Sequence, residues 1–233
     1  SERAIKRFDR LLIVTISSTR SKLFENLSNS QLPLLNALRQ KRKEAQINGS
    51  FFFRVHDSKT LFTGQAVLVH EIVRLLHEKN LDFDELCRSA DVLSERIHAF
   101  LVPRDLYYVR KLASQKGEKS VSWLRYQAGT LLGIKPIIRA HQGDTETFTT
   151  AKEFDKAIEK LLKIAVAAID KGLKTNTISL SYAGDPTEMI IHPQIRKFTK
   201  YARSKGTEVL NSVMSTTAGV HVGPGAFSLA YAI

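Results

Sequence analysis

A single cysteine, Cys87, among 233 residues excludes an intrachain disulfide and any thiolate metal cluster. A core must then form without staples, and a hydrophobic content of 43% is enough for that. No apolar run approaches the roughly 20 residues that span a bilayer. The opening, Ser1-Glu2-Arg3-Ala4-Ile5-Lys6-Arg7, lacks the apolar stretch of a signal peptide, so a cytoplasmic protein is expected. Catalytic signatures are missing too. No serine sits in Gly-x-Ser-x-Gly, the turn that exposes an attacking hydroxyl, so a hydrolase built from Ser18, His221 and Asp57 is set aside. No glycine-rich loop is present to cradle a nucleotide's phosphates. His70, Glu71 and His77 put two imidazoles on one helical face, but no third ligand is evident; a solvated face and no metal are expected.

Acidic residues are the other shortage. Thirty-five Lys and Arg against 23 Asp and Glu leave a formal charge of +12, which suits nucleic acid, an acidic membrane surface or an acidic protein. The densest run, Arg39-Gln40-Lys41-Arg42-Lys43, closes a stretch in which Leu32, Leu34, Leu35 and Leu38 recur at helical spacing. Cations are favoured in a last helical turn, so a solvated basic face is expected there. Neither zinc-finger spacing nor an aromatic RNA-binding signature accompanies it.

What is present reads as alternating strands and helices. Leu11-Leu12-Ile13-Val14-Thr15-Ile16 is a continuous β-branched and apolar run, the mark of a parallel strand covered on both faces. A helical region interrupted near Pro33 should follow, from about Ser21 to Gln46, and then the strand Phe51 to Val55. That is a β-α-β unit. Its strands run into Ser17-Ser18 and Asp57-Ser58, and ligands gather beyond the carboxyl ends of such strands, so these four residues should lie together. Helices are expected over Thr63 to Lys79, Phe83 to Glu95, Leu106 to Ala113 and Val121 to Leu132. Ile134 to Ala140 and Thr145 to Thr150 flank a short loop with Gly143, a hairpin signal. A helix over Ala151 to Lys171, an alternating and half-buried strand Thr177 to Tyr182, a helix ending before Gly206, and strands Glu208 to Met214 and Phe227 to Ala232 complete the pattern. The fold class is α/β with two domains: a parallel-sheet α/β domain over 1–95, then an α+β domain over 96–233 with a mostly antiparallel sheet.

The segment Val220-His221-Val222-Gly223-Pro224-Gly225-Ala226 sets one imidazole beside two glycines that could let backbone N–H groups approach an anion. A tight turn with a hydrogen-bonded histidine is the alternative. This segment also carries a resemblance. Together with Leu11 to Ser18, Val55-His56-Asp57-Ser58-Lys59 and the Lys-Pro-Ile of Gly129 to Ile138, it resembles in order the motifs of the DegV family, bacterial fatty-acid-binding proteins. The likeness covers nearly the whole chain. It implies a two-domain α/β protein that is no enzyme and has no cofactor. Its ligand would be a long-chain fatty acid, the tail in an apolar tunnel and the carboxylate at the domain junction. A separate kinase would phosphorylate the acid.

On that resemblance the carboxylate site comprises Ser17, Ser18, His221, Gly223 and Gly225, with Asp57, Ser58, Lys119 and Arg125 as further candidates. The family's opening strand ending in Asp-Ser-Thr, its Thr-Ser-Gln-Pro loop and the arginine of its Gly-Gly-Arg-Ile segment have no match, so a fragment or short form is expected, with Lys119 or Arg125 supplying the charge. Burial of an acyl chain contributes about 0.8 kcal/mol per methylene, so the tail would supply most of the affinity and the head group the orientation. The alternative function is a basic-surface binder of nucleic acid or acidic protein with a degenerate lipid site.

Overall fold

The computed structural model describes residues 7–79, 81–115 and 133–233. Two sheets organise them. β1 (Arg10–Thr15) and β2 (Phe52–Asp57) pair in parallel, in register from Arg10 opposite Phe52 to Thr15 opposite Asp57. Between them the chain forms α1 (Leu23–Asn29) and α2 (Gln31–Glu44). The expected long helix breaks at Ser30, and Pro33 sits in the first turn of α2, where its missing N–H is of no consequence.

The larger sheet has six strands in the order β5-β4-β3-β8-β6-β7. They are β3 (Ile97–Val102), β4 (Ile134–His141), β5 (Asp144–Lys152), β6 (Thr177–Tyr182), β7 (Glu208–Val213) and β8 (Phe227–Ala232). All neighbours are antiparallel except β6 and β7. The strand nearest the C-terminus therefore lies between β3 and β6, and all six of its residues are buried. β6 is buried along its whole length as well, which corrects the half-buried reading of its alternation. Its polar positions face other protein rather than water.

Helices cover both faces. α3 (Gly64–Glu78) and α4 (Phe83–Ser94) pack Val67, Leu68, Leu86 and Ala90 against Ala99, Ala140, Ala230 and Ala232. Small residues on that face let α3 come close: a Cβ on Gly64 would stand 3.1 Å from that of Ala99. On the opposite face α6 (Phe154–Lys171) and α8 (Pro193–Ser204) meet Phe100, Leu180, Phe227 and Leu229. The expected single helix before Gly206 is divided at His192, because Pro193 opens α8 after the short α7 (Pro186–Ile191). α1 and α2 lie outside the small sheet, around Phe51, Phe53 and Val55, while Leu12 and Val14 join the α3–α4 core. The layers run helix, small sheet, helix, large sheet, helix.

Two further helices matter for the site. α5 (Leu106–Gln115) follows β3, and α9 (Thr216–Val222) runs directly into the Gly-Pro-Gly turn. The sequence pattern did not announce α9. Lys119, Arg125 and the helix expected over 121–132 lie outside the described residues.

Candidate functional site

The parallel pairing of β1 and β2 brings their carboxyl ends together. Ser58 N–H donates to the Thr15 carbonyl at 3.2 Å, and Ser17 N–H donates to the Thr60 carbonyl at 3.2 Å. The Asp57 carboxylate accepts from Ser18 N–H at 3.1 Å and from Lys59 N–H at 3.0 Å, so it is engaged in tying the two loops. Ser17, Ser18, Asp57 and Ser58 are neighbours, as parallel strand ends require. Neither Ser17 nor Ser18 caps α1, whose N-cap is Lys22. Ser17 is fully buried, its hydroxyl 3.0 Å from that of Thr19, whereas Ser18 is exposed. Thr19 in turn donates to the Gly143 carbonyl, while Gly143 N–H donates to Lys59 O at 2.8 Å. The β4–β5 hairpin tip of the large sheet is thus clasped by both loops.

The segment after Ser58 is unusual in its backbone. Lys59 and Phe62 hold φ of 50° and 53°, in the left-handed region that bulky residues avoid. Phe62 packs into the apolar cluster that contains Leu101, Ile138 and Val222, and so spans the distance from the Ser-Ser loop to the His221 turn.

At that turn His221 is half-buried at the end of α9, and among the described residues its imidazole has no hydrogen-bond partner. The glycines do something other than the sequence suggested. Gly223 N–H donates to Gly219 O at 2.8 Å and Gly225 N–H to Ala183 O at 2.7 Å, so neither amide is offered to an anion. Their φ values of 86° and 72° exclude side chains, and the space is filled by neighbours. A Cβ on Gly223 would meet the Tyr108 ring at 2.4 Å, and one on Gly225 would meet Arg104 Cδ at 2.6 Å. The glycines therefore admit α5 and the loop before it.

Arg104 is a residue that sequence reasoning passed over. It stands just beyond β3, its guanidinium 5.1 Å from the Phe154 ring centre, and its carbonyl accepts from Lys135 Nζ at 2.6 Å. Arg104 also bears on Tyr182, whose hydroxyl donates to Glu188 at 2.9 Å. Burial and then the Glu188 carboxylate push the Tyr182 phenol up, and the guanidinium opposes them. One signal could have found Arg104: a charged residue at the carboxyl end of a buried strand. Arg104 and Lys135 make this end of the sheet cationic, and the His221 imidazole stands beside them on the turn.

Two other expectations are corrected. His70 is not on a solvated face; its ring lies 3.2 Å from Thr177 Oγ1 and 3.3 Å from Glu208 Oε2, joining α3 to β6 and β7. Among the described residues no group of three potential ligands is placed to hold a metal. Nor is the basic run of α2 wholly solvated. Arg42 is 3% exposed, bonds Asp9 Oδ1 at 2.6 Å and the carbonyls of Phe8 and Asn48, and lies over Phe51.

A serine–histidine–aspartate row does occur, elsewhere than the sequence suggested. His56 Nε2 is 2.8 Å from Ser94 Oγ and Nδ1 is 3.1 Å from Asp91 Oδ1. Ser94 is fully buried and its hydroxyl also donates to Ala90 O at 2.9 Å, so no substrate reaches it. The row ties β2 to α4.

A small parallel sheet with hydroxyl-bearing strand ends, beside a larger mixed sheet whose central strand follows a His-x-Gly-Pro-Gly turn, defines the class: a layered α/β protein with its polar residues at the carboxyl ends of the strands. The family model described as "Uncharacterised protein, DegV family" matches residues 2–233, and the chain belongs to the DegV family. A DegV domain-containing protein of Xanthomonas campestris pv. campestris is 34% identical over 231 residues, covering 99% of this chain and 73% of that one. Among solved structures, a stearic acid-binding protein from Eubacterium ventriosum is similar with TM-score 0.74 and 22% identity, over 99% of this chain and 73% of its own. A DegV family protein from Eubacterium eligens, loaded with heptadecanoic acid, has TM-score 0.72 and 17% identity over 99% and 75%. Among the described residues no helix is long and apolar enough to cross a membrane.

Proposed function

We propose that this chain binds a long-chain fatty acid and presents it to a partner kinase in the cytoplasm, doing no chemistry itself. The observation that carries this reading is the match of nearly the whole chain to solved DegV proteins with acyl ligands. In this reading the tail lies in an apolar tunnel and the carboxylate is taken up at the junction of the 1–95 and 96–233 units. The hydroxyls of Ser17 and Ser18 supply donors, with Asp57 and Ser58 fixing their loop. Arg104 supplies positive charge and His221 a ring N–H donor, and Gly223 and Gly225 shape the corner that holds Arg104 and Tyr108. A buried carboxylate without such partners would be prohibitively costly.

Native mass spectrometry of protein from a bacterial host, with lipid extraction, tests the reading. One acyl chain per protein is expected. The His221→Ala and Arg104→Ala forms should each retain it roughly 10- to 100-fold less tightly, the cost of a lost charged hydrogen bond. Recovery of no stoichiometric acyl chain from the unaltered protein sinks the proposal. Salt-sensitive retention on nucleic acid in its place would favour a basic-surface binder, as the +12 charge allows.

A further inference from the structure

β3 and β6 both run antiparallel to β8, so their first residues share one end of the sheet, opposite the His221 turn. At that end a groove of about 680 Å³ opens between α3, α4 and the segment leading into β6. Buried Leu75 and Leu93 lie beneath it, with Val92, 64% exposed, at its edge. Around them stand Arg88, Arg96 and Lys174, all exposed, and among the described residues none of the three has an ion-pair partner. Two carboxylates also line the groove, and the three cations outnumber them. Glu71 is gripped by Arg74, with Nη2 to Oε1 at 2.6 Å, and Glu85 accepts from the Asp82 N–H at 3.1 Å in a capping box.

We propose that this groove docks an acidic, amphipathic segment of a partner protein. Apolar side chains of the segment would rest on Leu75, Val92 and Leu93 while its carboxylates meet Arg88, Arg96 and Lys174. A second copy of this chain is the wrong occupant, since both would carry +12. A single-stranded nucleic acid would want aromatic platforms, and none lines the groove. A small ligand would want enclosure over most of its surface, whereas this groove is open to solvent along one side. Because the groove lies at the far end of the sheet, the proposal stands apart from the fatty-acid reading, and a partner could dock here with the His221 corner still accessible.

Fluorescence anisotropy with the full chain tests it. The probe is a short labelled peptide with leucines on one helical face and glutamates on the other. Its lysine counterpart and a single-stranded oligonucleotide are the comparison probes. The triple variant Arg88→Glu, Arg96→Glu, Lys174→Glu should weaken the acidic peptide at least about 10-fold. An equal charge change on α8, Arg196→Glu, Lys197→Glu, Lys200→Glu, all exposed, should change binding less than about 2-fold. Val92→Ser should weaken it several-fold. Equal losses from both triple variants, no binding of the acidic peptide to the unaltered chain, or tighter groove-dependent binding of the oligonucleotide would each overturn the proposal. A groove-dependent dimer in sedimentation would overturn it in favour of a second copy. If the groove triple variant melts without cooperativity, Val92→Ser and Lys174→Gln decide the matter.

Discussion

The two sheets are held by different forces. In the large sheet β6 and β8 are buried at every residue, and α6 turns seven buried side chains toward them, all of them Ala, Ile or Leu. In the small sheet β1 buries only Thr15, α1 buries no residue, and the one buried residue of α2 is Arg42. Its core consists of Phe51, Phe53 and Val55 with partly buried neighbours. What apolar area does for the large sheet, directional bonds do for the small one: Arg42 to Asp9 and two carbonyls, Asp57 across the strand ends, Thr19 to the hairpin tip. Apolar burial has no preferred direction, whereas hydrogen bonds depend on angle as well as distance. The loops that bear Ser17 and Ser18 are placed by the second kind of force.

That contrast can be broken by two substitutions. Leu229→Ala, in the middle of β8, should cost about 3–4 kcal/mol, because transfer energy and a trapped cavity add at a site with no room to collapse. Urea denaturation should show the loss as a lower midpoint for the whole protein. Arg42→Ala should cost less, about 2–3 kcal/mol, chiefly from carbonyls of Phe8 and Asn48 left without their donor. Its signature should be local. Hydrogen exchange should accelerate in β1 and β2 while β6 and β8 stay protected. If Arg42→Ala lowers protection equally in both sheets, they form one cooperative unit and the contrast drawn above is wrong.

The strands were legible because apolar β-branched runs leave few other conformations, and from two parallel strands the meeting of Ser17-Ser18 with Asp57-Ser58 followed by geometry alone. Three features were not legible, each because a distant partner decides it. Arg42 occupies the last turn of a helix, where solvent is the ordinary expectation; Asp9, 33 residues earlier, turns it inward. Arg104 meets Gly225 only because β3 and β8 are paired, with Val102 opposite Phe227. Thr216–Val222 contains glycine and β-branched residues that weigh against a helix, and its one local signal is the Ser215 hydroxyl accepting from Ala218 N–H at 3.2 Å. That helix takes up the Gly223 amide and the Ala183 carbonyl after β6 takes up that of Gly225, so the motif was recognisable while the work its glycines do was not.

The smallest effect sharpens the contrast through one histidine in each sheet. His98 on β3 stacks on His141 at 3.9 Å; burial, then the neighbouring His141 and Arg139, push its pKa down to about 4. His56 on β2 is also lowered by burial, but the Asp91 carboxylate pulls the other way. Both imidazoles take up a proton less readily in the folded protein than in the unfolded chain, which protonates them near the ordinary value of 6.5. As pH falls from 6.5 to about 4 the unfolded state therefore gains protons that His98 refuses, and stability falls across that window and levels off below it. For a half-buried ring the loss should be about 1–2 kcal/mol. His98→Gln should flatten that part of the denaturation midpoint's pH profile. His56→Gln should lower the whole curve, through its lost bonds to Ser94 and Asp91, and change the slope less. If the two variants flatten the acid limb equally, the aspartate offers no compensation, and the two sheets respond to protons in the same way despite being built differently.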